Sequence, residues 1–232
     1  MIAMKHIYFC LYILAFFILS SCVQEPDLYE ARGSFVAGYS VGNLDAEFVN
    51  REETNTDYPE KLSNYKIIVH TKPGAHIAWH NSQGQDSILF RNISVKNSDT
   101  RYPLKYTYRF PNICFFQNFT SIELASDHDY DEMHKAGESL LDIVYYLASS
   151  CLNFIESDYK KEEPYQRVLV EGDSLTTRDM TLLRWGVNSW LFELNFPTPP
   201  TLSKVHNFTI TLVADDGTKY VLPVAATFDE EQ

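Results

Sequence analysis

The sequence predicts a mainly β fold: an antiparallel sandwich, Ig-like or transthyretin-like, with one amphipathic helix packed on or across its sheets. An α+β arrangement is the alternative. Three observations carry this. Period-two alternation recurs, as in Trp190, Phe192, Leu194 and Phe196 against Leu191, Glu193 and Asn195. Asp215-Asp216-Gly217 separates two such runs, and Asp-Gly supplies the positive φ that a tight hairpin needs. One stretch, 139–150, shows helical spacing instead. With 232 residues, 45% of them hydrophobic and 14% aromatic, the chain can bury one sizeable core, and collagen-like or disordered classes are excluded. A formal net charge of −12 argues against nucleic acid, which requires a basic face.

Residues 1–21 read as a signal peptide. Lys5 and His6 precede an unbroken apolar run over 7–19. A membrane-spanning helix needs about 20 such residues, so the run has the length of a signal core. Leu19-Ser20-Ser21-Cys22 then resembles the lipobox of bacterial lipoproteins. Small residues give the protease access to the bond, and the Cys22 thiol accepts diacylglycerol. Together with an N-terminal acyl chain such as palmitate, three chains at about 0.8 kcal/mol per buried CH₂ hold the protein to the membrane. Residues 22–60 read as an acidic tether and irregular segment, and 61–232 as one β-rich domain.

Within that domain, strands are expected where Tyr65, Ile67 and Val69 alternate, and again at Tyr106, Tyr108 and Phe110. The runs from Trp190, from Phe208 and from Tyr220 complete the set. Pro223 cannot donate to a ladder, so the last strand is expected at an edge or a bulge. Pro197-Thr198-Pro199-Pro200 is a stiff connector. Over 139–150, Leu140, Val144 and Leu147 recur at i, i+4 and i+7, and Ser139 with Asp142 reads as a capping pair, which predicts the helix.

Several constellations are candidates for chemistry. Asp127, Asp129, Asp131 and Glu138 occupy positions 1, 3, 5 and 12 of a calcium-type loop, although the sixth position is Glu132 where the turn wants Gly. Ca²⁺ is the cofactor this spacing suggests, with an acidic turn as the plainer reading. Cys114 and Cys151 are the cysteines left once Cys10 departs and Cys22 is acylated, and can pair in an oxidising compartment. Gly38-Tyr39-Ser40-Val41-Gly42 matches the nucleophile-elbow pattern, but no room precedes it for the strands an elbow needs. His76 and His80 would share a helix face and could hold zinc, yet their surroundings read as strand, which holds them roughly 13 Å apart.

The order lipobox, Ser121-Ile122-Glu123-Leu124, Ser126-Asp127-His128-Asp129-Tyr130-Asp131 and Ala136-Gly137-Glu138-Ser139-Leu140 resembles a family of small uncharacterised Bacteroidetes lipoproteins. The likeness spans about residues 60 to 232 and carries over only Cys22 as a functional residue. It implies an outer-membrane, lipid-anchored protein facing the exterior, and the acidic residues after Cys22 resemble that lineage's surface-export signal. Asp86-Ser87-Ile88 and Asp173-Ser174-Leu175 resemble its O-glycosylation sites, with Ser87 and Ser174 as acceptors.

The expected function is a non-catalytic binding or assembly module. Its partners are the membrane, through the lipid, and a glycan or protein at the surface, with exposed Tyr and Phe rings as stacking groups. One alternative is a fimbrial-type structural subunit cut after Arg32. Another is a glycan- or peptide-directed hydrolase, for which no motif speaks.

Overall fold

A computed structural model describes residues 32–50, 65–103 and 112–228. Cys22, the signal segment, the acidic residues up to 31 and the strand expected around Tyr106 lie outside the described residues. The strands are β1 (Arg32–Gly33), β2 (Gly38–Val41), β3 (Leu44–Asn50), β4 (Tyr65–Thr71), β5 (His76–Trp79), β6 (Tyr102–Pro103), β7 (Ile113–Phe115), β8 (Phe119–Ser126), β9 (Tyr145–Ser150), β10 (Gln166–Glu171), β11 (Trp190–Asn195), β12 (Val205–Ala214) and β13 (Lys219–Thr227). Two α-helices interrupt them, α1 (Gln85–Lys96) and α2 (Leu152–Glu156). The protein is therefore mainly β and compatible with a sandwich, as the sequence predicts.

One layer is a five-stranded antiparallel sheet in the order β10-β9-β11-β4-β3, and the other is β13-β12-β8. β12 shows why alternation was legible: His206, Phe208, Ile210, Leu212 and Ala214 are buried while Val205, Asn207 and Thr209 are exposed. Facing them, Ile67, Val69, Tyr146, Ala148, Phe192 and Leu194 belong to the same apolar cluster. Aromatic contacts close the layers, with Phe196–Phe208 at 5.2 Å and Phe48–Phe228 at 4.8 Å between ring centroids. Pro223 lies on the edge strand β13, opposite Thr209. Gly217, at φ 86°, turns the β12–β13 hairpin.

A second, smaller core lies beside the sandwich. It is built from the sheet β5-β2-β7, the β1–β6 ladder and the two helices. Phe35, Tyr39, Phe90, Ile93, Cys114, Cys151 and Phe154 fill it. Gly38 permits the close strand approach there, because a Cβ would lie 2.6 Å from Ile77 Cγ2 and 2.9 Å from Trp79 Cε3. That accounts for one glycine of the Gly-x-Ser-x-Gly pattern, and Ser40 between the pair is buried with its hydroxyl unbonded.

Two expectations are corrected. The helix predicted over 139–150 is a 3₁₀ turn at Leu141–Ile143 followed by strand β9. β9 lies between β10 and β11, and both Tyr146 and Leu147 are buried on opposite faces of it. A strand covered on both sides loses its alternation, and its apolar residues fell into helical spacing by accident. The long helix is α1, where Phe90 and Ile93 point to the second core, with Asp86 in the first turn and Lys96 in the last. The segment 22–60 is also more than a tether, since 32–50 supplies β1, β2 and β3. In β3, Leu44, Ala46 and Phe48 join the core cluster while Asp45 and Glu47 point away, an alternation hidden by the acidity of the stretch.

Phe208 is wholly buried on the central strand β12. Phe208→Ala is expected to cost about 3–5 kcal/mol in denaturant unfolding. A loss under about 1 kcal/mol would mean that the two sheets do not pack as described.

Candidate functional site

The outer face of the five-stranded sheet carries the most elaborate chemistry. By strand alternation Lys66, Ile68, Leu147, Glu193 and Asn195 point away from the sandwich core, yet all are buried. Lys66 Nζ lies 3.4 Å from the Glu193 carboxylate and 5.8 Å from the centroid of the Trp190 ring. Such a pair offsets the cost of burying either charge alone.

Beside this pair opens a cleft of about 670 Å³. Leu147, Ser149, Arg167 and Glu193 of β9, β10 and β11 form its floor. The segment Glu163, Pro164 and Tyr165 makes one wall, and Arg184, Gly186 and Trp190 the other. Tertiary contacts place both walls. Arg184 N donates to Ser149 O at 2.8 Å, and Gly186 N to Trp190 O at 2.9 Å around a turn whose Asn188 and Ser189 take positive φ. The Arg184 guanidinium lies 4.5 Å from the centroid of the Tyr165 ring, a cation–π arrangement. Among the lining residues Arg167 and Arg184 balance Glu163 and Glu193, so the cleft carries no net charge in a chain of formal charge −12. The Trp190 ring can stack on a flat ligand, and the planar guanidinium and carboxylate groups beside it can hydrogen-bond the ligand's rim. Among the described residues no His or Cys lines the cleft.

A second group, which the sequence does not reveal, is Asp99. It is fully buried. Its Oδ1 accepts from Phe35 N at 2.8 Å and from the Tyr159 hydroxyl at 3.0 Å, and its Oδ2 accepts from Val36 N at 2.9 Å. Burial pushes this carboxyl up to about 6, against the opposing pull of the two amides. Tyr39, Tyr159 and Tyr165 surround it, and burial raises each of their hydroxyls as well. Asp99 thus clasps the chain at its entry into the second core.

The residues singled out from sequence fall elsewhere. In the 127–138 loop each carboxylate turns to the chain's own donors. Asp127 takes Asn207 N at 2.8 Å and Asn207 Nδ2 at 2.7 Å, Asp129 takes Ala136 N at 2.9 Å, and Glu138 takes Lys135 N at 2.9 Å. Asp131 takes Met133 N at 2.8 Å and the His134 ring at 2.8 Å. Hydrogen bonds from Asn207 hold Asp127 far below the usual carboxylate range, and Asp142 with Asp131 raises the His134 imidazole. Among the described residues no three Asp, Glu, His or Cys side chains could hold a metal ion. The loop follows strand β8, Glu132 stands where the turn wants Gly, and N–H groups of the chain donate to these carboxylates.

Cys114 and Cys151 are brought together as free thiols, their sulfurs 3.5 Å apart. Ser87 is half-buried in the first turn of α1, and Ser174 is exposed beside Asp173. His76 lies on strand β5 and meets Asp86 at 3.2 Å, while His80 reaches Ala37 O at 3.3 Å. Among the described residues no helix is long and apolar enough to cross a membrane. Comparison with protein-family models, curated proteins and solved structures returns no match to the chain.

Asp99 generates a pH signature. A carboxyl raised from 3.8 to about 6 binds more protons folded than unfolded, so its contribution to stability is greatest below about pH 4 and is lost as pH climbs through 6. Wild type should therefore lose about 3 kcal/mol relative to Asp99→Asn between pH 4 and pH 7, measured by urea unfolding at each pH. Parallel curves for the two proteins would remove the assignment.

Proposed function

We propose that the chain is a lipid-anchored outer-envelope lipoprotein, displayed toward the exterior, and that it serves as a non-catalytic binding module taking a saccharide in the cleft between Tyr165 and Trp190. The observation that carries the binding reading is the cleft itself. Its volume of about 670 Å³ falls within the ordinary range for ligand sites. The Trp190 indole offers a face for the C–H side of a pyranose. The guanidinium and carboxylate groups match its hydroxyl rim, where charged groups make the stronger hydrogen bonds.

A hydrolase is the weaker reading of the same site. It would need a nucleophile or acid with a base in reach, and of the two carboxylates lining the cleft Glu193 is engaged by Lys66. Support for the anchor comes from Leu19-Ser20-Ser21-Cys22 and from the polar, acidic residues that follow. A tether ahead of Arg32 would hold the domain clear of the bilayer.

The two parts are tested separately. In a two-membrane bacterial host, wild type should sediment with envelopes as a trimmed, acylated product, and Cys22→Ser should accumulate untrimmed and unacylated. A Cys22→Ser product that is trimmed normally and still fractionates with envelopes would sink the anchor. For the cleft, the full chain is screened on a glycan array and the best binder titrated by calorimetry. Arg184→Ala, an exposed side chain, should weaken binding at least tenfold, about 1.4 kcal/mol, with an unchanged Tm. Equal binding by wild type and variant, or no glycan bound at all, would refute the site.

A further inference from the structure

We infer that Cys114 and Cys151 become a structural disulfide when the protein folds in an oxidising compartment, and that this crosslink ties β7 to the end of β9 within the second core. Its compartment rests on the export reading above; the bond itself does not.

The two sulfurs already touch, at 3.5 Å, and both cysteines are fully buried. A disulfide of about 2.05 Å asks each sulfur to move by roughly 0.7 Å toward the other. The sulfurs also share one neighbour, the Leu182 carbonyl, at 3.7 Å from Cys114 Sγ and 3.9 Å from Cys151 Sγ. Apart from these two, the chain's four cysteines include only Cys10 in the signal and Cys22 at the lipobox. No other partner competes once export is complete.

The place of the pair explains what the bond would do. Cys114 lies in β7, and Cys151 follows β9 directly at the start of α2. The backbone of 182–184 threads between them: Arg184 bridges to Cys114, and Leu183 bridges to Ser150. Phe115 N donates to Leu183 O at 2.9 Å. Crosslinking the two flanking strands clamps the strip that carries Arg184 into the cleft.

The chemistry balances as thiol–disulfide exchange. A thiolate of one cysteine attacks a sulfur of the disulfide of a thiol oxidoreductase and forms a mixed disulfide. The second thiolate then displaces the oxidoreductase. The pair loses two electrons and two protons, and the oxidoreductase leaves as a dithiol. Burial pushes the Cys151 thiol up, and nothing from solvent reaches either sulfur in the folded chain. Exchange therefore precedes closure of the second core, and the finished bond resists reductants.

Two measurements test this. The exported, lipid-bearing chain is unfolded and treated with iodoacetamide before and after reduction. No alkylation before reduction and two alkylations after are expected. Two alkylations without reductant from a correctly trimmed, membrane-bound product would overturn the bond while leaving export standing. Separately, the reduced full chain is refolded in a glutathione redox pair, an arm independent of localisation. It should close the bond and, once folded, hold it against reduced glutathione. The Cys114→Ala/Cys151→Ala double variant should lose about 10 °C in Tm relative to the oxidised protein, for a loop of this length. A chain that refolds to the same Tm while remaining a dithiol would overturn the inference, as would a double variant matching the oxidised Tm.

Discussion

The rest of the structure depends on one constraint, the burial of the central strands β4, β9 and β11 of the five-stranded sheet on both of their faces. β11 shows it most plainly. Phe192 and Leu194 fill the sandwich, while Glu193 and Asn195 point the other way and are buried as well. An acidic side chain so placed needs a partner, and Lys66 on the neighbouring strand provides it at 3.4 Å. The ion pair fixes the outer face, Trp190 packs by the lysine, and the strands beyond it leave the cleft. Fold and candidate site thus follow from the same double-sided packing.

Beside the sandwich, the second core is held by different means. It has fewer apolar residues, and buried polar groups take a larger part. Asp99 gathers two backbone amides and a tyrosine hydroxyl, so that its ionisation is coupled to the entry of the chain into the fold. The cysteine pair lies within the same core.

The acidic loop after β8 shows what carboxylates at ligand spacing do within the fold. Its carboxylates fall at ligand spacing, but Asp127 accepts from Asn207 on β12 and the others accept from donors of their own loop, with His134 bound between Asp131 and Asp142 at 2.8 and 3.0 Å. Spacing records which oxygens are near in sequence. It does not record what else in the loop requires an acceptor.

By itself the sequence determined the features that depend on near neighbours. It revealed the β12–β13 hairpin, where alternation and Asp-Gly act within a few residues, the strands β4 and β11, and the edge position of Pro223. It could not separate strand from helix over 139–150, because a strand covered on both faces has no polar period left to read. Nor could it show β3, whose alternation was masked by acidic residues, or α1, which turns only a narrow apolar face inward. The cleft, the Asp99 clasp and the contact of Cys114 with Cys151 join residues from separated segments of the chain. Only tertiary packing brings such groups within reach, since their chemistry depends on distance in space and their sequence separation says nothing about it.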